Sequence, residues 1–395
     1  MIKGCIMPWI HMYGDIRGNY SLCCHTDNYM DNGEKILGKN GESPLKVWND
    51  DPYKKSRLKF LKGEYPPECS VCYDIEASGQ QSHRNRVNQK YARYGVLQDK
   101  THDDGSIKNP PVYLDFRFGN LCNFKCRMCG PDASTSWFRE KHLAAFKAHD
   151  LQVQSLDYWT NNPEFWEDME KIYKTIDTIY FAGGEPFVQD GMYKMLEFLI
   201  KRGKTDVELQ YNTNLSYSKY KKYDIIKMWK NFKEVKVWPS VEGYKGHVEY
   251  SRKGFNWETF DKNVNIFKDY IHTVSITGSI YSIYSNPELF LYLKKKNIIF
   301  FITNLISPSF LDASCLPSDA KKEINNKYKK FLLEHRNMFN PGELGNIMNT
   351  LRHMNRADNS HLLPELKKFN TALDLSRNEN FEASFSEYAE WYRKI

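Results

Sequence analysis

The chain has no long apolar run. Its longest, Ile298–Ile306, contains Thr303 and Asn304 and falls far short of the ~20 residues that a membrane-spanning helix needs. No export signal is legible, because Ile2–Met12 is short and interrupted by Lys3, Cys5 and His11. Internal repeats and low-complexity tracts are missing too. Charge of one sign is not in large excess: 56 Lys and Arg face 49 Asp and Glu, a net charge of +7. That balance describes a mixed surface rather than a nucleic-acid-binding face. The lysine-rich stretches Lys201–Lys204, Lys219–Lys222, Lys294–Lys296 and Lys321–Lys330 read as solvated faces. Neither a membrane nor nucleic acid is expected as a partner. With no export signal, the nine cysteines imply a reducing cytoplasm, where thiols serve metals or catalysis more often than disulfides.

What is present is 395 residues, 41% apolar and 15% aromatic, enough for two or three globular domains with a substantial core. Residues 1–105 carry five cysteines and many turn residues, the pattern of a small α+β module. Residues 98–111 are polar, contain Gly and Pro, and read as a linker. Beyond them, apolar strand runs alternate with helical periodicity. The strands are expected at Val112–Phe118, Thr178–Ala182, Val207–Tyr211, Val235–Val241, Val274–Ile280 and Ile298–Thr303. Met192–Arg202 and Trp257–Tyr270 are the clearest intervening helices. Strand–helix alternation implies a parallel sheet with covering helices, and six units predict an open, partial (β/α)6 TIM-type barrel over residues 106–310. Residues 311–395 read as a helical extension, with helices at Ser318–Arg336, Leu344–Met354, Pro364–Asn370 and Ser384–Arg393.

Chemistry concentrates where the first of these strands ends. Cys122, Cys126 and Cys129 share one short loop, LCNFKCRMCG. Three thiolates hold three irons of a cubic 4Fe–4S cluster, which is normally held by four. No fourth cysteine follows nearby, so one iron would stay open to a ligand that is not protein. Half of a zinc site is the plainer alternative, but zinc sites usually pair C-x2-C with a second such pair. The next one, Cys69 and Cys72, lies about fifty residues upstream.

The C-x3-C-x2-C spacing resembles the signature of the radical S-adenosylmethionine (SAM) enzymes, and further likenesses follow in order. Gly183-Gly184-Glu185-Pro186 could be an ordinary strand-to-helix turn. Standing after a buried strand, it resembles the family's GGEP motif, which implies backbone carbonyls and a glutamate receiving the ammonium of SAM. Asn212-Thr213-Asn214 resembles the family's Thr-Asn-Gly turn, with Leu215 in place of glycine. Ser240 and Glu242 are similar to its Ser-x-Asp, implying contacts to the ribose hydroxyls. Tyr250-Ser251-Arg252 with Gly254 resembles the segment whose arginine pairs with the SAM carboxylate, a match of fork to carboxylate. Ile276-Thr277-Gly278 and Asn304-Leu305 are candidates for walling the adenine. Met128 stands where an aromatic is common, and its thioether can also contact a purine. The resemblance implies an external one-electron reductant such as flavodoxin or ferredoxin. It also implies cleavage of SAM to methionine and a 5′-deoxyadenosyl radical, and hydrogen abstraction from a substrate.

A second set, Cys5, Cys23, Cys69 and Cys72, precedes the barrel. Cys5 stands before an expected hairpin (Trp9–Tyr13 and Asn19–Cys23), and Cys69-x2-Cys72 lies near the start of a helix. Four cysteines also make a tetrahedral zinc site. The surrounding Pro8-Trp9, Gly18, Val47-Trp48-Asn49 and Arg57 resemble the SPASM/twitch auxiliary-cluster module, in its one-cluster form. That implies a second 4Fe–4S cluster, with Cys23 preferred to Cys24 by its spacing from Cys5. The module usually follows the barrel and here precedes it, as in some phage and bacterial radical SAM proteins. Ser82, Arg84 and Asn88 lie on a helix that is solvated or lines a substrate cavity, and Cys315 reads as a buried structural thiol. A peptide or protein is the favoured substrate, with a small molecule such as an amino sugar as the alternative. The remaining class is a zinc-binding interaction protein without catalysis.

Overall fold

The computed structural model describes residues 2–16, 18–26, 30–31, 34–35, 43–77, 81–131, 133–140 and 159–395. They form two compact units. One comprises residues 1–120, 155–211 and 227–235; the other comprises residues 121–154, 212–226 and 236–395.

The main sheet contains β1 (His11–Gly14), β2 (Tyr20–Ser21), β3 (Tyr113–Phe116), β4 (Thr178–Phe181), β5 (Glu208–Thr213) and β6 (Glu234–Pro239), in the order β6–β5–β4–β3–β1–β2, and β1 to β4 with the first residues of β5 and β6 belong to the first unit. β3, β4 and β5 pair in parallel, with Leu114 opposite Ile179 and Ile179 opposite Leu209. All four residues of β3 are buried, as expected of a parallel strand covered on both faces. The helix Asp190–Lys201 packs on the sheet, where Met192 Sδ accepts from Tyr211 Oη of β5 (3.9 Å). Its Met192, Met195, Leu196 and Leu199 recur at helical spacing and are fully buried.

The expected hairpin and the expected linker both differ in detail from the structure. The first hairpin strand starts at His11, because Pro8 opens a short helical turn over Met7–Ile10. The hairpin also joins the main sheet. β1 pairs antiparallel with β2 and, on its other edge, parallel with β3, with His11 opposite Tyr113 and Gly14 opposite Phe116. β1 thereby covers an edge of β3 that would otherwise present unpaired backbone groups. Glycine is required at position 14, since a Cβ there would lie 2.6 Å from both Phe116 and Trp159. Residues 98–111 are not a free linker. Trp48 Nε1 donates to Asn109 O (2.8 Å), and the Asn49 side chain bonds both N and O of Ile107 (3.0 and 2.9 Å).

In the second unit β7 (Val274–Gly278) and β8 (Phe300–Asn304) pair in parallel, and bridges Val237–Ile271 and Ser240–Ser275 run parallel beside β7. Strand and helix thus alternate as in a partial TIM-type barrel. The C-terminal part is helical, with Ser318–His335, Pro341–Asn355 and Leu363–Arg377 as its long helices. The single helix expected at Ser384–Arg393 is instead two short ones, Phe381–Ser384 and Ala389–Arg393. The break lets buried Phe385 stack on His247, with ring centroids 4.6 Å apart.

Candidate functional site

The cysteine loop belongs to the second unit. It is irregular except at Lys125–Cys126, which pairs antiparallel with Arg252–Lys253 and sets Arg252 opposite Cys126. Cys126 is buried, Cys122 and Cys129 are half-buried, and both lie within electrostatic reach of Cys126. Burial pushes the Cys126 thiol well above its usual pKa, so a thiolate at this position needs a compensating cation. Arg252 is one such cation, and three thiols on one loop are the donor type that cluster iron takes, although among the described residues no group of three His, Cys, Asp or Glu is arranged around a single metal ion.

Arg252 and Glu242 form a buried pair beside this thiol. Arg252 Nε lies 2.8 Å from each Glu242 oxygen, and Nη2 lies 2.7 Å from Oε2. The remaining nitrogen, Nη1, stands 3.9 Å from Cys126 Sγ. Burial works against the charge of Arg252, but Glu242 and Cys126 outweigh it and raise its pKa. The structure therefore places Glu242 on the arginine that sequence likeness assigns to the SAM carboxylate. Removing one partner leaves the other buried and unpaired. Arg252→Ala is expected to cost about 3–5 kcal/mol, whereas Arg252→Met with Glu242→Leu should recover most of it. A double-mutant cycle in denaturant checks this coupling.

Asn212 ends β5 half-buried, and Ser240 N donates to Thr213 O (2.8 Å). Asn214 Nδ2 donates to Asn123 Oδ1 in the cysteine loop, and Asn123 Nδ2 to Ser216 Oγ, both at 3.0 Å. Leu215, in the family's glycine place, adopts φ +58° and is fully buried. The glycine is thus explained by the turn, and leucine is tolerated because its side chain packs. Leu215→Gly relieves about 1–2 kcal/mol of left-handed strain. It should nonetheless destabilise the protein, because truncating a buried leucine costs about 2–5 kcal/mol. A lower melting temperature is the expected reading. Met128 is half-buried. Gly278 and Asn304, one from each of the two adenine-wall segments, are opposite one another in the β7–β8 pair, and Asn304 Oδ1 is buried without a hydrogen bond.

Sequence reasoning missed Arg127, which lies between Cys126 and Cys129. Its guanidinium is fully buried and bonds Asp374 (2.5 Å), Glu379 (2.7 Å) and Asn370 (3.3 Å) in the C-terminal part. The Tyr250 ring covers it at 3.7 Å. A lone arginine between two cysteines carries no sequence signal of this.

In the first unit, the Gly183-Gly184-Glu185 turn folds against Gly119. Gly184 N and Gln189 Nε2 both donate to Gly119 O, at 3.0 and 2.9 Å. Gly183 has φ +114°, and a Cβ on it would meet Gly119 O at 2.8 Å, so the backbone approach needs glycine. Glu185 is buried and its Oε1 accepts from Phe187 N (3.0 Å), capping the short helix Pro186–Val188.

The same unit gathers the second cysteine set. Cys5 lies within electrostatic reach of Cys72, Cys23 of Cys5 and Cys69, and Cys69 of Cys5 and Cys72. Burial pushes the Cys5 thiol up to about 12, and those of Cys23 and Cys69 also rise, so this set too suits a cationic cluster. Cys23 is buried and Cys24 exposed. Arg84 Nη1 and Asn88 Nδ2 hold Gly4 O (2.9 and 2.8 Å), and Asn88 Oδ1 accepts from Ile6 N, fixing the backbone around Cys5. Ser82 caps their helix reciprocally with Asn85. Fully buried Arg57 ties the module's landmarks together. It donates to Pro8 O (2.8 Å), Trp48 O (2.8 Å) and Asn49 Oδ1 (2.9 Å). Also unforeseen was Asp115, buried on β3 beside Arg117 (2.8 Å), whose guanidinium faces the rings of Tyr13 and Tyr180. Charged residues alternating within a buried strand were the signal available. Cys315 is fully buried, its thiol directed at Ser309 O (3.1 Å).

Both cysteine sets fall within regions that match known families. The radical SAM superfamily matches residues 116–286, and the iron–sulfur cluster-binding SPASM domain matches residues 5–73. No curated protein matches. Among solved structures, Streptococcus suis SuiB bound to S-adenosylmethionine is similar at 12% identity and a TM-score of 0.40, over 74% of this chain and 62% of SuiB. SuiB bound to its precursor peptide SuiA is similar at 12% identity and a TM-score of 0.38, over 72% and 64%. The chain thus spans less than two thirds of that protein. The iron–sulfur cluster-binding match spans residues 5–73, the region that holds Cys5, Cys23, Cys69 and Cys72. No helix among the described residues is long and apolar enough to cross a membrane. The chain carries the domain of the radical SAM enzymes, whose cofactors are a 4Fe–4S cluster and S-adenosylmethionine, and ahead of it in sequence an iron–sulfur cluster-binding SPASM domain.

Proposed function

We propose that this protein cleaves S-adenosylmethionine reductively and abstracts a hydrogen atom from a substrate, with a peptide or protein favoured. The observation that carries the reading is the set Cys122, Cys126 and Cys129 on one loop of the matched domain, with Arg252 against Cys126. Those thiolates hold the SAM-binding cluster. When bound, that cluster supplies the electron that breaks the S–C5′ bond of SAM. The carbonyls of Gly183 and Gly184 and the Glu185 carboxylate receive the methionine ammonium, and an ammonium offers three donors. Arg252 supplies the cation for the carboxylate through the nitrogen that Glu242 leaves free. Ser240, Asn212 and Met128 line the nucleoside side.

Cys5, Cys23, Cys69 and Cys72 hold a fully ligated auxiliary cluster in a module spanning residues 1–105, ahead of a barrel at 106–310 and an extension at 311–395. Nine cysteines and a flavodoxin- or ferredoxin-type donor suit work in a reducing cytoplasm. The aromatic-rich composition and the large N-terminal module suit the broad cleft that a peptide needs. The test is anaerobic. Reconstituted protein given reductant and SAM should form 5′-deoxyadenosine and methionine, and a peptide substrate should raise that rate and leave modified peptide. Protein with intact clusters that never cleaves SAM would refute the reading. Turnover of an amino sugar instead of peptides would move the substrate class to small molecules.

A further inference from the structure

We infer that the C-terminal extension is a brace for the cysteine loop, acting through Arg127 as a positioning residue. This rests on the proposed function only where it touches SAM cleavage. The loop Leu121–Gly130 has just two residues in a ladder, so its backbone has little regular structure to hold the three thiols in place. Arg127 compensates. Its N donates to Ser251 O (2.7 Å), directly before Arg252, and its guanidinium reaches two carboxylates more than two hundred residues away in sequence.

Asp374 is the hub of that anchor. Its Oδ1 accepts from Arg127 Nη2 (2.5 Å) and Tyr250 Oη (2.8 Å), and its Oδ2 from Phe381 N (2.8 Å). Asn378 at φ +52° ends the helix Leu363–Arg377 in a left-handed turn, which returns Glu379 towards the same guanidinium. A second anchor sits beside it. Glu140 accepts from Lys125 (2.5 Å) in the loop and from Arg377 (3.0 Å) and Ser376 on the helix. One helix end therefore grips the loop at residues 125 and 127, on either side of Cys126. A surface extension with no such task would not need two carboxylates directed at one buried guanidinium, a costly arrangement that geometry must justify.

The test uses the full chain with Asp374→Asn and Glu379→Gln, which keep shape and remove charge, alongside Arg127→Met and Arg127→Lys. Amide hydrogen exchange at residues 126–129, including the bonded amides of Arg127 and Cys129, should quicken at least about tenfold in the Asn/Gln variant while β7 and β8 stay protected. At unchanged iron content, SAM cleavage should fall about tenfold to a hundredfold, because small misplacements cost that much. The SAM-induced change in the cluster's EPR signal should weaken too. Arg127→Lys should recover part of each effect that Arg127→Met shows. Unchanged exchange at 126–129 in the Asn/Gln variant overturns the brace. If that exchange quickens in a protein whose wild type cannot cleave SAM, the brace stands and the proposed function falls.

Discussion

Replacing Cys122, Cys126 and Cys129 together with alanine should reduce 5′-deoxyadenosine formation to background. The three positions are the only cysteines between Cys72 and Cys315, so no neighbouring thiol can substitute. A cubic cluster needs its thiolates, and without them SAM has neither an iron to bind nor an electron source. Reconstituted wild type should carry about eight irons and the triple variant about four. The substitution is mild for the fold, because Cys→Ala removes one atom and Arg252 keeps its bidentate partner Glu242. Near-native circular dichroism with no SAM cleavage is the expected combination. Continued cleavage by the triple variant would mean that the SAM cluster lies elsewhere.

A comparable loss is expected at the other set. Cys69→Ala with Cys72→Ala should leave about four irons, the SAM-responsive cluster, and remove a signal that ignores SAM. A cluster with four protein ligands has no open iron, so it serves electron transfer, substrate positioning or stability. Where it accepts an electron from the substrate radical, product should vanish while some uncoupled SAM cleavage persists. The double variant should also melt at lower temperature, since metal binding is coupled to folding. β1 runs from the Cys5 segment directly alongside β3, so disorder at Cys5 is transmitted into the central sheet. One stoichiometric zinc in place of that cluster would overturn the auxiliary role and leave a structural module.

Much of this was legible in the residues. All six strand runs appear as strands within a few residues of their expected ends, because short, β-branched and aromatic runs between turn residues have few other ways to bury themselves. Leu215 shows where that legibility stopped. It stands in the family's glycine place, and its backbone adopts the left-handed conformation that the glycine serves. The sequence pattern named the position, and packing decided that leucine could occupy it.

Spacing along the chain is local, and by itself it marked the loop of Cys122, Cys126 and Cys129 and the strand–helix order, while the second cysteine set and the GGEP turn were legible through resemblance to a known family. Contacts between distant segments depend on how sheets and helices meet, and only the tertiary structure decided these. The addition of β1 to β3 is one, across about a hundred residues of chain. Others are the grip of Arg127 on Asp374 and Glu379, and the pairing of Arg252 with Glu242. The physical reason is the cost of burial. A guanidinium or carboxylate in a dry interior must find its opposite wherever the fold supplies one, and composition does not say where that will be.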